Sequence, residues 1–90
     1  VYRPITTNRF LKDQKRMVKR GKKFDKLDLV MEQLIQGLPL DPSLRDHKLE
    51  GDWSGSRECH VEPNWLLIYR IDGELIIFER TGTHPDLFGG

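Results

Sequence analysis

The segment Trp65–Arg80 constrains this chain more than any other. Its first part, WLLIYRI, is an almost unbroken run of aliphatic, β-branched and aromatic residues. It is too short for an ordinary buried helix and rich in strand formers. Asp72-Gly73 follows, a dipeptide that tolerates positive φ at both central positions of a type I′ turn. Glu74–Arg80, ELIIFER, is then the return strand. Two strands joined by a two-residue turn are antiparallel neighbours. Upstream, Arg57–Val61 reads as a shorter strand closed by the turn Glu62-Pro63-Asn64. The second half of the chain therefore predicts a three-stranded meander. It carries His60 near one strand end, Arg80 at the end of the last strand, and His84 just beyond it in the tail Thr81–Gly90.

A meander with an apolar face needs cover, and the N-terminal part supplies it. Thr6, Thr7 and Asn8 are N-cap types, which predicts a helix from there to about Arg20, ended by Gly21 in the left-handed conformation. Its apolar stripe is Phe10, Leu11, Met17 and Val18. A second helix is expected with Asp25 as cap, Phe24 and Leu29 as a hydrophobic staple, and Gly37 as its stop. Leu27, Val30, Met31, Leu34 and Ile35 form its buried face. Val1–Ile5 is a short strand that Pro4, lacking an amide donor, confines to an edge or a strand end. The expected architecture is α+β, one domain over residues 1–90, with two N-terminal helices packed on a small, mainly antiparallel sheet. No apolar run approaches the roughly 20 residues that span a bilayer, and no signal-peptide pattern opens the chain, so a cytoplasmic protein without membrane contact is expected. The single cysteine, Cys59, excludes an internal disulfide and a Cys-rich zinc site, and its strand position predicts a core-facing side chain.

The net charge of +1 conceals a strong asymmetry. Residues 1–26 sum to +8 and the rest to −7. Lys12, Lys15, Arg16, Lys19, Arg20, Lys22 and Lys23 concentrate this charge on and after the first helix. Such a surface suits a polyanion or an acidic partner, although a lysine-rich helix can equally be a merely solvated face.

Between the helices and the meander lies the long connection Leu38–Trp53, with Leu38, Leu40, Leu44, Leu49 and Trp53 as its expected anchors and His47 inside it. His47, His60 and His84 thus all fall in a loop or at a strand end, with Arg80 close to His84. RNA cleavage needs a base for the 2′-hydroxyl, an acid for the departing 5′-oxygen, and a cation for the charge that builds on the phosphate. Two histidines and an arginine can meet those needs without a metal or other cofactor. Zinc binding is the competing chemistry, but separations of 13 and 24 residues match no local ligand pattern. Each histidine could also simply bond a backbone carbonyl.

Three segments, LPLDPSLRDHKLEGDW, RECHVEPNWLLIYR and FERTGTHPDLFG, resemble the RelE-superfamily toxins of bacterial toxin–antitoxin pairs, specifically the YafQ type. The resemblance covers almost the whole chain. It implies a RelE-like fold, a ribosome-dependent mRNA endonuclease, and neutralisation by a DinJ-type antitoxin. It further implies a site of His47, His60, Arg80, His84 and Phe88, with Trp65 beside it against RNA. In that site His84 is the general acid, His60 and His47 act as base or orienting groups, Arg80 holds the scissile phosphate, and Phe88 stacks on a base or shapes the pocket. The basic helix becomes a docking surface for 16S ribosomal RNA or mRNA. One position departs: where the YafQ pattern has a catalytic aspartate, this chain has Asn64, which can hydrogen-bond but neither acts as a base nor carries charge. The alternative implied by Asn64 is a weakened or inactive member that binds RNA or antitoxin without cleaving.

Overall fold

The computed structural model describes residues 1–89, so Gly90 of the expected tail lies outside the described residues. In chain order the elements are β1 (Arg3–Thr6), α1 (Asn8–Lys19), α2 (Phe24–Ile35), β2 (His47–Lys48), β3 (Arg57–Glu62), β4 (Trp65–Asp72), β5 (Leu75–Gly82) and α3 (His84–Phe88). The meander β3–β4–β5 forms, but its last turn falls one residue later than expected: β4 runs through Asp72, which pairs with Leu75, and the loop is Gly73-Glu74. Of Asp72, Gly73 and Glu74, Gly73 alone takes positive φ (+59°), so the turn is not the type I′ turn expected at Asp72-Gly73. The meander is extended on both sides into a five-stranded sheet of order β1-β5-β4-β3-β2. Among the described residues only β1 runs parallel to its neighbour, and the other pairings are antiparallel.

Alternation along β4 divides the sheet into two faces. Trp65, Leu67 and Tyr69 join Cys59, Val61, Ile76 and Phe78 beneath α1 and α2, with Phe10, Met17, Leu27, Val30 and Leu34 packed down on them. Leu66 and Ile68 point the other way and meet Leu87 of α3, with Leu49 and Trp53 against them. Full burial of one such aliphatic side chain stabilises by roughly 1.5–3 kcal/mol. The second cluster has only three fully buried members, so α3 is held by a few kcal/mol of apolar contact and depends on its polar anchors as well.

The strand β5 carries a bulge. Tyr69 lies opposite Phe78 while Ile68 lies opposite Arg80, so Glu79 is an extra residue with no partner across the ladder. Its carbonyl is not wasted: Thr7 Oγ1 donates to it at 2.8 Å. The same Oγ1 accepts from the Phe10 amide at 3.0 Å, which makes Thr7 at once the N-cap of α1 and the support of the bulge. The bulge reverses the parity of everything after it on β5. A second irregularity between His60 and Glu62 adjusts β3 in the same way before its turn.

Several expectations need correction. Leu11 and Val18 are 43% and 49% exposed, and the buried line of α1 is Phe10, Asp13 and Met17 instead. An acid takes an interior position there because it has cationic partners. The staple does not form: α2 starts at Phe24, Lys23 is its N-cap with no side-chain hydrogen bond, and both Phe24 and Leu29 are exposed. Leu38 is exposed and anchors nothing, whereas Leu40 and Leu44 pack on the helix-side core. The long connection is itself structured, with short helical turns at Pro42–Leu44 and Gly51–Trp53 on either side of β2. No helix among the described residues is long and apolar enough to cross a membrane.

Candidate active site

Register places the site before any side-chain contact is considered. His47 lies opposite Glu58, Glu58 opposite Ile68, and Ile68 opposite Arg80, one line across four strands. The next line joins His60, Leu66 and Gly82. Directly opposed residues share a face of the sheet, so His47, Glu58, His60 and Arg80 all leave it on the side away from α1 and α2. Without the bulge at Glu79, Arg80 would point into the helix-side core.

The imidazoles form a row. The His47 and His60 ring centroids are 6.4 Å apart, as are those of His60 and His84, and Phe88 follows at 5.7 Å from His84. His84 and Phe88 are four residues apart on α3 and so share a helix face. The start of α3 is fixed by a capping box: Thr83 Oγ1 accepts from the Asp86 amide while the Asp86 carboxylate accepts from the Thr83 amide.

His47 donates from Nδ1 to the Arg45 carbonyl at 2.7 Å. A carbonyl can only accept, so the neutral ring carries its proton on Nδ1 and leaves a lone pair on Nε2. Arg45 adopts φ +50°, the one non-glycine residue in the left-handed region among those described, and this turns the chain into β2. Asp46 then pins the loop by accepting from Tyr69 Oη at 2.8 Å and Arg57 Nε at 3.1 Å. Burial and the nearby Asp46 carboxylate push the Tyr69 hydroxyl well above its ordinary pKa. It stays a hydrogen-bond donor.

His60 is the best-enclosed of the three histidines. Its Nδ1 is buried without a hydrogen bond, and its Nε2 lies 3.9 Å from Oε1 of the buried Glu58. Leaving a buried polar atom unpaired costs about 1–3 kcal/mol. Glu58 was not among the sequence candidates; its position two residues before His60 on a strand, hence on the same face, is the signal that could have found it. A cavity of about 380 Å³ beside His60 is walled by Ser43, Arg45, Glu62 and Pro63. Glu62 accepts from Lys22 and Lys26 at 2.6 and 2.8 Å, and these hydrogen bonds hold its carboxyl below the usual range.

Arg80 is 8% exposed and grips Asp13 through Nε at 2.7 Å and Nη2 at 2.9 Å. These bonds to Asp13 raise its already high pKa, so the guanidinium is permanently charged. His60 Nδ1 is the one buried side-chain nitrogen or oxygen without a partner among the described residues. Arg80 Nη1 makes no hydrogen bond among the described residues and is not fully buried.

The remaining candidates divide. Trp65 is a correction: it is 1% exposed and its indole nitrogen donates to Thr81 Oγ1, because its strand parity sends it under the helices, so it supports the fold and does not touch RNA. Asn64 sits exposed in the β3–β4 turn and makes no side-chain hydrogen bond to the histidine row. Of the basic set, Arg16 and Arg20 bind Asp86, and Lys22 binds Glu62. Lys12, Lys15, Lys19 and Lys23 make no ion pair among the described residues. Cys59 is buried and its thiol is pushed up to about 12, which removes it as a nucleophile at neutral pH. No three His, Cys, Asp or Glu side chains among the described residues converge closely enough to hold a metal ion.

Nearly the whole chain is similar to known proteins. A family model described as the bacterial toxin of type II toxin–antitoxin systems, YafQ, matches residues 2–89. The mRNA interferase toxin YafQ of Escherichia coli strain K12 is 48% identical over 84 residues, covering 92% of this chain and 91% of that protein. The crystal structure of the E. coli DinJ–YafQ complex contains a chain that matches with a TM-score of 0.92 at 44% identity, covering 99% of this chain and 100% of that one. A metal-bound toxin from Helicobacter pylori matches with a TM-score of 0.91 at 36% identity, covering 98% and 100% of the two chains.

Proposed function

The chain belongs to the YafQ family of bacterial type II toxins, and from that premise we propose that it is a metal-independent mRNA interferase that cleaves messages on the ribosome in the cytoplasm. The observation that carries this reading is the row His47–His60–His84–Phe88 with Arg80 on the same face of the sheet. His47 Nε2, with its lone pair free, takes the proton of the 2′-hydroxyl, and His60 orients that hydroxyl. The 2′-oxygen bonds to phosphorus, the bond to the 5′-oxygen breaks, and His84 returns a proton to that oxygen, leaving a 2′,3′-cyclic phosphate. Arg80 Nη1 faces the phosphate oxygens on which charge accumulates. Phe88, half exposed beside His84, stacks on a neighbouring base. Lys12, Lys15, Lys19 and Lys23, which make no ion pair among the described residues, contact the phosphates of mRNA or 16S ribosomal RNA and position the toxin without reading sequence. The partner that silences it is a DinJ-type antitoxin, drawn by the same basic surface.

The test is single-turnover cleavage of ribosome-bound mRNA, with 5′ ends mapped after brief induction in cells. The wild-type chain should cut messages and arrest growth, and His84→Ala should lower the rate by roughly 10²–10⁴-fold. Intact messages and normal growth would sink the reading. A second reading, a member that binds but scarcely cleaves, is favoured by Asn64 alone. Asn64→Asp separates the two: a rate increase of roughly tenfold or more would show that a carboxylate at this turn takes part in proton transfer.

A further inference from the structure

The helix α1 does more than present lysines. Asp13 lies in its middle, 2% exposed, and four donors converge on its carboxylate. Arg80 supplies two of them, through Nε and Nη2. Thr81 donates its backbone amide at 3.2 Å, a strand-edge amide that β1, whose pairing with β5 ends at Phe78, does not reach. Arg16 donates Nη2 at 2.8 Å and extends its other nitrogen, Nη1, to Asp86 at 3.3 Å. Asp86 in turn accepts from Arg20 at 2.7 and 3.1 Å and closes the capping box beneath His84.

We propose that Asp13 is a positioning residue for the cleavage reaction, fixing the Arg80 guanidinium so that its Nη1 edge faces the scissile phosphate; this rests on the nuclease reading above. The reason is geometric. The bulge at Glu79 turns Arg80 onto the site face, but a long side chain emerging there has many rotamers of similar energy. A carboxylate that binds Nε and Nη2 together accepts the planar fork in one orientation, and the third nitrogen is then aimed as well. Lysine could not be held in this way. Asp13 has no other evident purpose: an apolar residue at this interior helix position would bury more surface at no desolvation cost, and the Thr81 amide alone does not require a charge. Arg16 links the same carboxylate to Asp86, so the two groups at opposite ends of the reaction, Arg80 and His84, are both referenced to α1.

Guanidinium rescue of the Arg80→Ala variant tests this. In single-turnover cleavage of ribosome-bound mRNA, Arg80→Ala should be slow, and millimolar guanidinium should restore activity by at least about tenfold, because Asp13 recaptures the free cation in the vacated place. The Asp13→Asn/Arg80→Ala double variant should show no such restoration, although both proteins melt cooperatively. Asp13→Asn alone should lower the maximal rate by roughly 10²-fold, as a misaimed group near the reaction centre does, with little change in the substrate concentration needed for half-saturation. Equal rescue in the single and double variants would overturn the proposal, since Asp13 would then be only a fold element. Wild-type rates in Asp13→Asn would overturn it as well. A wild-type chain without cleavage would defeat the nuclease reading first, and this proposal with it. Because the double variant removes both members of the pair, it avoids stranding one buried charge and stays measurable even where Asp13→Asn alone folds poorly.

Discussion

The Nδ1 of His47 and the carbonyl oxygen of Arg45 are 2.7 Å apart, and that single bond decides which nitrogen of the ring can accept a proton. His47→Ala should therefore reduce cleavage by roughly 10²–10⁴-fold, while the melting temperature barely moves because the side chain is exposed. A wild-type cleavage rate in single-turnover assays would hand the role of base to another group, with His60 the first choice.

Gly82 approaches α3 more closely than a side chain permits. A methyl group there would come within 3.0 Å of Asp86 Cβ and 3.1 Å of its Oδ2. Gly82→Ala should force α3 outward, at a cost of about 1–3 kcal/mol in stability. Because His84 moves with the helix, the loss in cleavage should exceed what the fraction of unfolded protein explains. Thermal melts alongside single-turnover rates measure both; a variant with normal stability and normal rate would show that α3 tolerates displacement.

Asp86 connects stability to pH. Its hydrogen bonds with Arg20 hold its carboxyl well below the ordinary 3.8, assisted by the Thr83 amide and hydroxyl. As pH falls through the ordinary carboxyl range, the unfolded chain takes up a proton that the folded chain resists, so this contribution is fully present above about pH 4 and is lost progressively below it. Asp86→Asn should cost about 1–2 kcal/mol at neutral pH, and the gap in Tm from wild type should narrow below about pH 4. A gap independent of pH down to 2 would mean that the carboxylate's charge is not what anchors α3.

Chelation should leave the activity intact. Proton transfer by imidazoles and charge stabilisation by Arg80 need no metal. The measurement is cleavage in EDTA, with sedimentation of the ribosomes as a control for their integrity. Loss of cleavage that zinc restores would instead bring the histidine row into use as a metal site.

Much of this fold was legible in local chemistry. Gly73 marks the hairpin between β4 and β5 because it tolerates the positive φ the turn needs, although the loop is Gly73-Glu74 and Asp72 remains paired in the strand. Thr7 and Gly21 bound α1 because capping and left-handed backbone are properties of a few residues at a time. Pro4 correctly restricts the first strand to an edge, where it pairs with β5. The histidines stood out as a set because their chemistry is rare, not because their spacing revealed a site.

The rest depends on partners distant in the chain. Hydrophobic periodicity assigns Leu11 and Val18 to the interior of α1, yet Asp13 occupies it, because Arg80, 67 residues away, supplies the compensating charge. Strand alternation alone cannot place Arg80 and Ile68 on one face; the extra residue at Glu79 does so, and its stability comes from Thr7 at the start of a helix. Trp65 looks like a nucleic-acid contact in isolation and becomes a core residue through parity with Leu67 and Tyr69. Local propensity acts over a few residues and can be read from them, whereas the aim of a side chain onto a shared site is set by register, bulges and charge pairing between segments that meet only after the sheet has formed.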